Sequence, residues 1–469
     1  MSSAITTVCF DADLIRRYDR NGPRYTSYPT AVQFHTGFTD IDYRDAAADS
    51  NRTNEPNQTN APLSLYVHVP FCFSPCFFCG CNKIITRDAA KAQRYLEYLY
   101  REISLQAPLF ADTRAVEQLH FGGGTPTFLS LDQLAGLIDT LAGNFQLTDS
   151  PTREYSIEID PRTLTADSLP ALARMGFNRV SLGVQDFDPE VQRAVNRVQS
   201  INATLDAIVQ ARADGFNSVS VDLIYGLPKQ TVTSFARTLD TVIAARPDRL
   251  AVYGYAHMPR MFKAQRQINK PDLPTAAIRI ELLGLTIEKL TKAGYVYIGV
   301  DHFALPGDEL VRAQSDGTLH RNFQGYSTRA EFDLVALGVS SISKLGPTYS
   351  QNAKTLPEYY AALGIGRLPV QRGIALNRDD LIRRDVIQQI MCQGVLDFAR
   401  ISGQFDIDFK LYFESELDQL RNFAHDGLIE QSSRNVVITP KGRLLLRNIA
   451  MVFDAYLPNA NAQTFSKAI

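Results

Sequence analysis

Between residues 62 and 300 the chain repeats one unit: a short apolar run that reads as a strand, then a longer stretch with helical periodicity. The strands are Leu63–Val69, Val116–Phe121, Tyr155–Ile159, Arg179–Val184, Ser218–Ile224 and Arg249–Tyr255. The helical stretches are Asp88–Gln106, Leu131–Asn144, Ala166–Met175, Ile201–Asp214 and Thr231–Ala245, with Thr275–Ala293 after the last strand. Strands that alternate with helices predict a parallel sheet, because a parallel return needs a long crossover. Six such units suit an α/β fold, a partial (β/α)6 TIM-like barrel; a flat doubly wound sheet is the alternative. The polar residues favour the barrel. The strands run out at His68, Gly122-Gly123-Gly124-Thr125-Pro126, Glu158-Ile159-Asp160, Gln185-Asp186, Asp222 near Tyr225-Gly226-Leu227-Pro228, and Ala256-His257. The carboxyl ends of parallel strands form the active face of such folds, so each strand is expected to deliver a polar or glycine-bearing group to one mouth.

The chain has 469 residues, more than one hydrophobic core usually serves, so smaller units are expected around the barrel. Residues 1–61 read as an N-terminal extension that ends in the polar stretch Ala48–Asn60, expected to be an exposed linker. Residues 301–377 read as a barrel-associated substrate or cofactor segment. From 378 to 469 the pattern turns mostly helical: Asp379–Cys392 and Tyr412–Asp426, a hairpin through Leu428-Ile429-Glu430 and Val436-Val437-Ile438-Thr439, and the helix Gly442–Tyr456. Helices before a small hairpin resemble a winged helix. A net charge of -2 offers no basic excess for a nucleic-acid backbone or anionic lipid, so a cap on the barrel is expected there, with no nucleic acid and no membrane as partner. No apolar run has signal-peptide or bilayer-spanning length, which predicts a cytoplasmic protein.

Four of the six cysteines, Cys72, Cys76, Cys79 and Cys81, fall within ten residues directly after the first strand. Crowded thiols in a reducing compartment read as metal ligands or redox groups. At C-x3-C-x2-C spacing, Cys72, Cys76 and Cys79 can hold three corners of a [4Fe-4S] cluster from one loop, leaving the fourth iron to a ligand from outside the protein. Phe71, Phe73, Phe77 and Phe78 are expected to keep water from it. Structural zinc on four thiolates is the alternative, although such sites usually draw pairs from two separated knuckles. Cys81 is either a fourth ligand or a neighbour.

This cysteine spacing, followed by the strand end Gly122-Gly123-Gly124-Thr125-Pro126, resembles the radical S-adenosylmethionine superfamily. Longer stretches narrow the likeness: Tyr66–Cys72, Cys79–Lys83, Gly183–Phe187, Asp222–Pro228, Asp301–Ala304 and His320–Tyr326. Together they resemble the oxygen-independent coproporphyrinogen III oxidase (dehydrogenase) family over nearly the whole chain. The resemblance implies a cluster whose open iron is chelated by S-adenosylmethionine, and a second S-adenosylmethionine beside it. It implies oxidative decarboxylation of two propionates of coproporphyrinogen III to vinyls, giving protoporphyrinogen IX, started by a 5'-deoxyadenosyl radical. It also implies an electron donor such as flavodoxin or ferredoxin, and a monomer. By matching motif positions, Tyr66, Phe78, Gly123, Gly124, Thr125, Glu158, Gln185, Arg197, Asp222, Ala256 and Ile342 are expected to hold the two cofactor molecules.

Glycines let backbone approach an ammonium, carboxylates accept from ribose hydroxyls, and Arg197 can grip a carboxylate. Each has an ordinary alternative: a helix cap or a surface ion pair. No protein residue is assigned as catalytic beyond the cluster and cofactor; His68, His257, His302 and His320 are as readily packing residues. For a tetra-anionic substrate, Arg16, Arg17, Arg20 and Arg24 are expected either to fold over the mouth and pair with propionates or to remain a solvated face. Two other functions compete: a haem-chaperone-like member of the same superfamily without oxidase activity, and a zinc-bearing interaction protein.

Overall fold

The computed structural model describes residues 8–52, 61–111, 113–329, 332–457 and 465–467. Six parallel strands form its centre: β1 (Leu63–Val69), β2 (Val116–Gly123), β3 (Glu154–Ile159), β4 (Arg179–Gln185), β5 (Ser218–Tyr225) and β6 (Arg249–Gly254). They pair in sequence order, all in parallel. The helices between them, Ala89–Gln106, Leu131–Asn144, Ser168–Arg174, Ile201–Ala213 and Val232–Ala245, lie close to their expected positions. Their starts are capped locally: Asp88, Ser130, Ser200 and Thr231 each accept a backbone N–H of the first turn.

Strand alternation gives the sheet two different faces. Leu65, Leu119, Ile157, Leu182, Val221 and Leu250 belong to the main core and are at most 0% exposed. The opposite face is polar: Ser64, Gln118 and Glu154 form a hydrogen-bonded row (2.8 and 2.9 Å), and His120 bridges Ser156 (2.5 Å) and Glu158 (3.1 Å). A parallel sheet of this kind normally buries apolar residues on both faces. A polar inner row costs desolvation unless its groups bond to one another, as here, or receive a ligand.

The sheet is larger than six strands and does not close. Beyond β6 lie β7 (Val296–Gly299) and β8 (His302–Ala304), with β8 antiparallel to both β6 and β7. Beyond β1, β9 (Asp333–Leu337) pairs in parallel and leads into the antiparallel strands β10 (Ile342–Leu345), β11 (Thr348–Asn352) and β12 (Val370–Ala375). The result is one open sheet of 12 strands. The sequence pattern misses the outer strands because most are short and carry no clean alternation.

The C-terminal unit builds a second core, in which residues from Ile382 to Phe453 pack with Leu14, Tyr25 and Tyr28 and with Ile298, Ala304 and Leu310. The helix Arg378–Gln388 passes into a π-turn at Gln389–Gln393. The hairpin Ile429–Gln431 and Asn435–Ile438 gains a third strand, Val395–Asp397. The expected helix Gly442–Tyr456 is broken into a 3-10 turn (Gly442–Leu445), a short α-helix (Leu446–Ala450) and another 3-10 turn (Met451–Phe453). Buried arginines break it: Arg443 donates to the carbonyls of Tyr297 and Ile298, and Arg447 to that of Pro23, contacts that override ideal winding.

The N-terminal segment is tied to this unit. Tyr18 stacks on Phe423 at 5.0 Å and donates to Asp426, and Tyr25 donates to Asp454. Of the expected linker, Ala48-Asp49-Ser50 instead complete the helix Asp40–Ser50; residues 53–60 lie outside the described residues. Ser50 and Arg114 meet Asp333, which explains why that helix runs on. Among the described residues no helix is long and apolar enough to cross a membrane.

Candidate active site

The loop after β1 is fastened before it can hold anything. Phe71-Cys72 forms a two-residue parallel bridge with Ile84-Ile85, closing the cysteine loop at its neck. Phe77 N–H donates to the carbonyl of Val195 at 2.9 Å, and Asn196 Nδ2 to that of Pro75 at 2.7 Å, which pins the far side. Of the expected aromatic shell, Phe71 is buried against Tyr95 and Phe128, and Phe77 and Phe78 pack on an apolar cluster around Val191 and Leu227. Phe73 departs from the expectation: it lies on Phe128 but stays 43% exposed, so one side of the loop faces solvent.

Cys72, Cys76, Cys79 and Cys81 line one cavity of about 400 Å3, together with Phe78, Gly123, Gly124, Thr125, Glu158, Gln185, Arg197 and Asp222. These residues come from the carboxyl-terminal parts of β2, β3, β4 and β5, from the cysteine loop and, for Arg197, from the turn after the short helix Pro189–Ala194, the convergence expected of a barrel mouth. Tyr66 stands just behind, its ring stacked on His120 at 5.8 Å, and His120 in turn bonds Glu158. Ala256 borders a neighbouring cavity, and Ile342 lies on β10 beside Phe34, Phe323 and Tyr349. Neither lines the cysteine cavity. No histidine lines it either; His68 sits against Gly123, between the Tyr66 hydroxyl (3.1 Å) and the carbonyl of Asn82 (3.0 Å).

The glycine tract has a packing duty. A Cβ on Gly124 would lie 2.7 Å from the carbonyl carbon of Pro70 and 2.8 Å from the oxygen of Phe71, both backbone, just before Cys72. A Cβ on Gly123, whose φ is 110°, would meet the His68 ring at 2.5 Å. On Gly122 it would meet side-chain ends alone, the Glu158 carboxyl at 3.0 Å and His120 Nε2 at 3.1 Å. Gly124→Ala is therefore expected to displace the cysteine loop. Iron bound per chain after anaerobic reconstitution should fall about tenfold, as losses of metal-site support do, whereas Gly122→Ala should keep most of it.

Two groups that sequence reasoning left unassigned, Asp160 and Arg162, complete the wall, and a third, His120, stands behind it. Asp160 Oδ2 accepts from Arg162 Nη2 at 2.6 Å and from Arg197 Nη1 at 2.8 Å, and both guanidiniums also approach Cys76 Sγ, at 3.7 and 3.5 Å. Arg197 spends its other terminal nitrogen on the carbonyl of Gly183, which leaves its buried Nε without a partner among the described residues. His120 is the third. Its place was readable from alternation, since Gln118, His120 and Gly122 share the parity that faces Ser64, Tyr66 and His68.

The arginines near the N-terminus do not form the expected cluster over the mouth. Arg16 pairs with Asp13, Arg17 with Asp426, and Arg20 donates to the carbonyl of Asn448. Only Arg24 lines a cavity, the neighbouring one. Adjacent positions on the helix Ala12–Tyr18 send Arg16 and Arg17 to different neighbours, and Arg20 and Arg24 follow after the helix has ended.

The electrostatics of the cavity are divided. Burial raises Cys72 to about 11, while a hydrogen bond from the Cys81 side chain, aided by Lys83, brings Cys79 down to about 5. Burial would lift Glu158, but His120 and the N–H of Gly123 hold it below its ordinary value. Asp222 has weaker support, a long bond from the Ser181 hydroxyl (3.4 Å) and the Arg197 charge, so burial, and then the Glu158 charge, push it up to about 7. Among the described residues no three Cys, His, Asp or Glu side chains converge closely enough for a single metal ion. A cluster asks for a wider spread of sulfurs around one cavity, and these thiols fit it, with acceptors Glu158 and Asp222 and the cationic Arg197 on the remaining wall.

A model of the radical SAM superfamily matches residues 66–242, and a model of the HemN C-terminal domain matches residues 376–445. The oxygen-independent coproporphyrinogen III oxidase of Pseudomonas aeruginosa is 52% identical over 465 residues, 99% of this chain and 100% of that protein. Its counterpart in Escherichia coli K12 is 49% identical over 467 residues, 99% of this chain and 100% of that one. A solved structure described as coproporphyrinogen III oxidase (HemN) from Escherichia coli, a radical SAM enzyme, superposes with a TM-score of 0.90 at 48% identity. It covers 96% of this chain and is itself covered completely.

Proposed function

This chain belongs to the family of oxygen-independent coproporphyrinogen III oxidases, and from that membership we propose how its own residues carry the reaction. The enzyme converts two propionate side chains of coproporphyrinogen III to vinyl groups without oxygen, giving protoporphyrinogen IX. When bound, the [4Fe-4S] cluster and S-adenosylmethionine supply the hydrogen-abstracting 5'-deoxyadenosyl radical.

Cys72, Cys76 and Cys79 are the cluster's ligands in this reading, and Cys81 is a donor to the Cys79 sulfur. What supports it is the single cavity on which all these thiols open beside the glycine strand end. Arg162 and Arg197 place positive charge next to Cys76, which suits the negative cluster it would carry. Asp160 keeps both guanidiniums in that position.

Gly123, Gly124, Thr125, Glu158, Gln185, Arg197 and Asp222 form the bed for S-adenosylmethionine, with Glu158 and Asp222 as acceptors and the free Nε of Arg197 as a donor. Tyr66 orients Glu158 through His120. A second cofactor molecule would reach Ala256 and Ile342, which border the same side of the sheet less closely. A one-electron protein such as flavodoxin or ferredoxin would deliver reducing equivalents at the solvent-facing side of the loop, where Phe73 is exposed. The reading further places a monomer in the cytoplasm, where free thiols survive.

The observation that carries the proposal is the cysteine cavity ringed by strand-end acceptors. Anaerobic reconstitution with iron and sulfide, followed by S-adenosylmethionine, reductant and coproporphyrinogen III, should yield 5'-deoxyadenosine and a divinyl product. A haem-chaperone-like protein would yield no vinyl groups, and that result would overturn the assignment.

Asp222 makes the cofactor site pH-sensitive. Below about 7 its carboxyl is protonated, and above it the carboxylate is free to accept two donors. Affinity for S-adenosylmethionine, measured by calorimetry, should therefore rise between pH 6 and 8. Asp222→Asn should flatten that rise and weaken binding about tenfold, the worth of one hydrogen bond to a charged group.

A further inference from the structure

Next to the cysteine cavity is another of about 590 Å3, and one buried side chain, Gln265, ties backbone that lines the one to backbone that lines the other. Gln265, 2% exposed, donates through Nε2 to the carbonyl of Phe78 at 2.9 Å on the cysteine side. The same nitrogen donates to the carbonyl of Ala256 at 3.1 Å, and Oε1 accepts from the N–H of Met258 at 2.5 Å, both on the other side. Tyr225 and Tyr255 give this second cavity aromatic flanks. Its volume is that of a small-molecule site.

The charge around it is one-sided. Arg24, Arg260, Lys270, Arg279, Arg447 and Lys467 line it against a single carboxylate, Asp301. Much of that positive charge is engaged: Arg24 holds Asp301 at 2.8 Å, Arg447 donates to the carbonyls of Gly22 and Pro23, and Lys467 pairs with Asp19. Arg260 and Lys270 are also unengaged among the described residues but are exposed to water, whereas Arg279 is not. It is half-buried on the helix Ala276–Lys292, close to Gly226, and among the described residues its guanidinium makes no hydrogen bond or ion pair. A partly desolvated guanidinium gains most from a carboxylate that meets its fork with two bonds.

We propose that this second cavity binds the carboxylate groups of the substrate, with Arg279 taking one propionate by a two-pronged contact. The proposal rests on the coproporphyrinogen reading, since it is that substrate's four carboxylates that match the surplus of cations. The N-terminal arginine that matters is then Arg24 alone, and its partners come from the barrel helix and the cap. The macrocycle, anchored by its carboxylates, lies toward the cofactor cavity.

The test compares Arg279→Gln and Arg279→Lys with the native chain, each reconstituted and checked for full iron content. Two quantities are read: KM for coproporphyrinogen III, and the dissociation constant of unreactive coproporphyrin III followed by fluorescence. Arg279→Gln should raise both by about 10- to 100-fold, as loss of a charge-assisted pair does. Arg279→Lys should recover part of the loss, and binding of the uncharged coproporphyrin tetramethyl ester should not respond to either change. If KM and the dissociation constant of Arg279→Gln stay within about twofold of the native values, below the worth of one hydrogen bond, the proposal fails. A native chain that binds coproporphyrin through Arg279 yet forms no vinyl product would refute the oxidase assignment and leave the carboxylate site standing.

Discussion

Changing Cys76 to Ser is expected to leave a folded chain that binds little iron and releases no 5'-deoxyadenosine. Cys76 is the most enclosed thiol of the loop, 8% exposed, and the one flanked by two guanidiniums. A serine hydroxyl there is a poor ligand for iron, and Arg162 and Arg197 would then face no anion except Asp160. Turnover should fall by at least about 10^3-fold, some 4 kcal/mol of barrier. Iron analysis, the visible absorption band of the cluster and product analysis under strict anaerobiosis check it. Cys81→Ser is the informative partner: if Cys81 only donates to Cys79, that variant keeps its iron and most of its activity. Full activity in Cys76→Ser would end the cluster assignment altogether.

The second large effect concerns stability. Glu102, 0% exposed, sits on the helix Ala89–Gln106 beneath the end of β9. It accepts from the Tyr359 hydroxyl at 2.5 Å, Asn352 Nδ2 at 2.6 Å, the N–H of Gly338 at 2.7 Å and Gln106 Nε2 at 3.0 Å. One carboxylate thus ties the outer strands to the first barrel helix. Glu102→Ala orphans these donors in a space closed to water and should cost about 3–5 kcal/mol, a large part of the stability of a typical fold. Urea unfolding of the cluster-free protein measures it.

Glu102 also carries a pH signature. Burial raises it to about 7 despite its four donors, so the folded chain holds this proton more tightly than the unfolded one. The stability it contributes is fully present below the ordinary carboxylate range and is lost as pH rises through about 7. Unfolding free energy should therefore decline between about pH 5 and 7 by up to roughly 1.4 kcal/mol per pH unit, the linkage limit for one proton. In Glu102→Gln that part of the slope should vanish. A native slope equal to that of Glu102→Gln would show that Glu102 stays ionised.

Much of the site could be read from the chain because its parts are local. The cysteine loop follows the first strand directly, and Glu158, Gln185 and Asp222 lie in the carboxyl-terminal halves of their own strands, so finding the strands placed them. Glu102 escaped notice for the opposite reason. On an amphipathic helix a glutamate reads as a solvent-facing residue, and only the arrival of Tyr359 and Asn352 from about 250 positions away makes it an acceptor worth burying. Arg279 was hidden likewise, since a charge on an outer helix has no meaning until a cavity forms beside it.

The sequence alone determined the six parallel strands, the helices that return between them and the loop bearing three close thiols, since hydrophobic period, caps and cysteine spacing act over a few residues. The tertiary structure decided how far the sheet extends beyond β1 and β6, where the N-terminal arginines go, and which carboxylates are held ionised or lifted toward neutrality. Those outcomes depend on desolvation and pairing between groups far apart along the chain, and such energies exist only once the fold has brought the groups together.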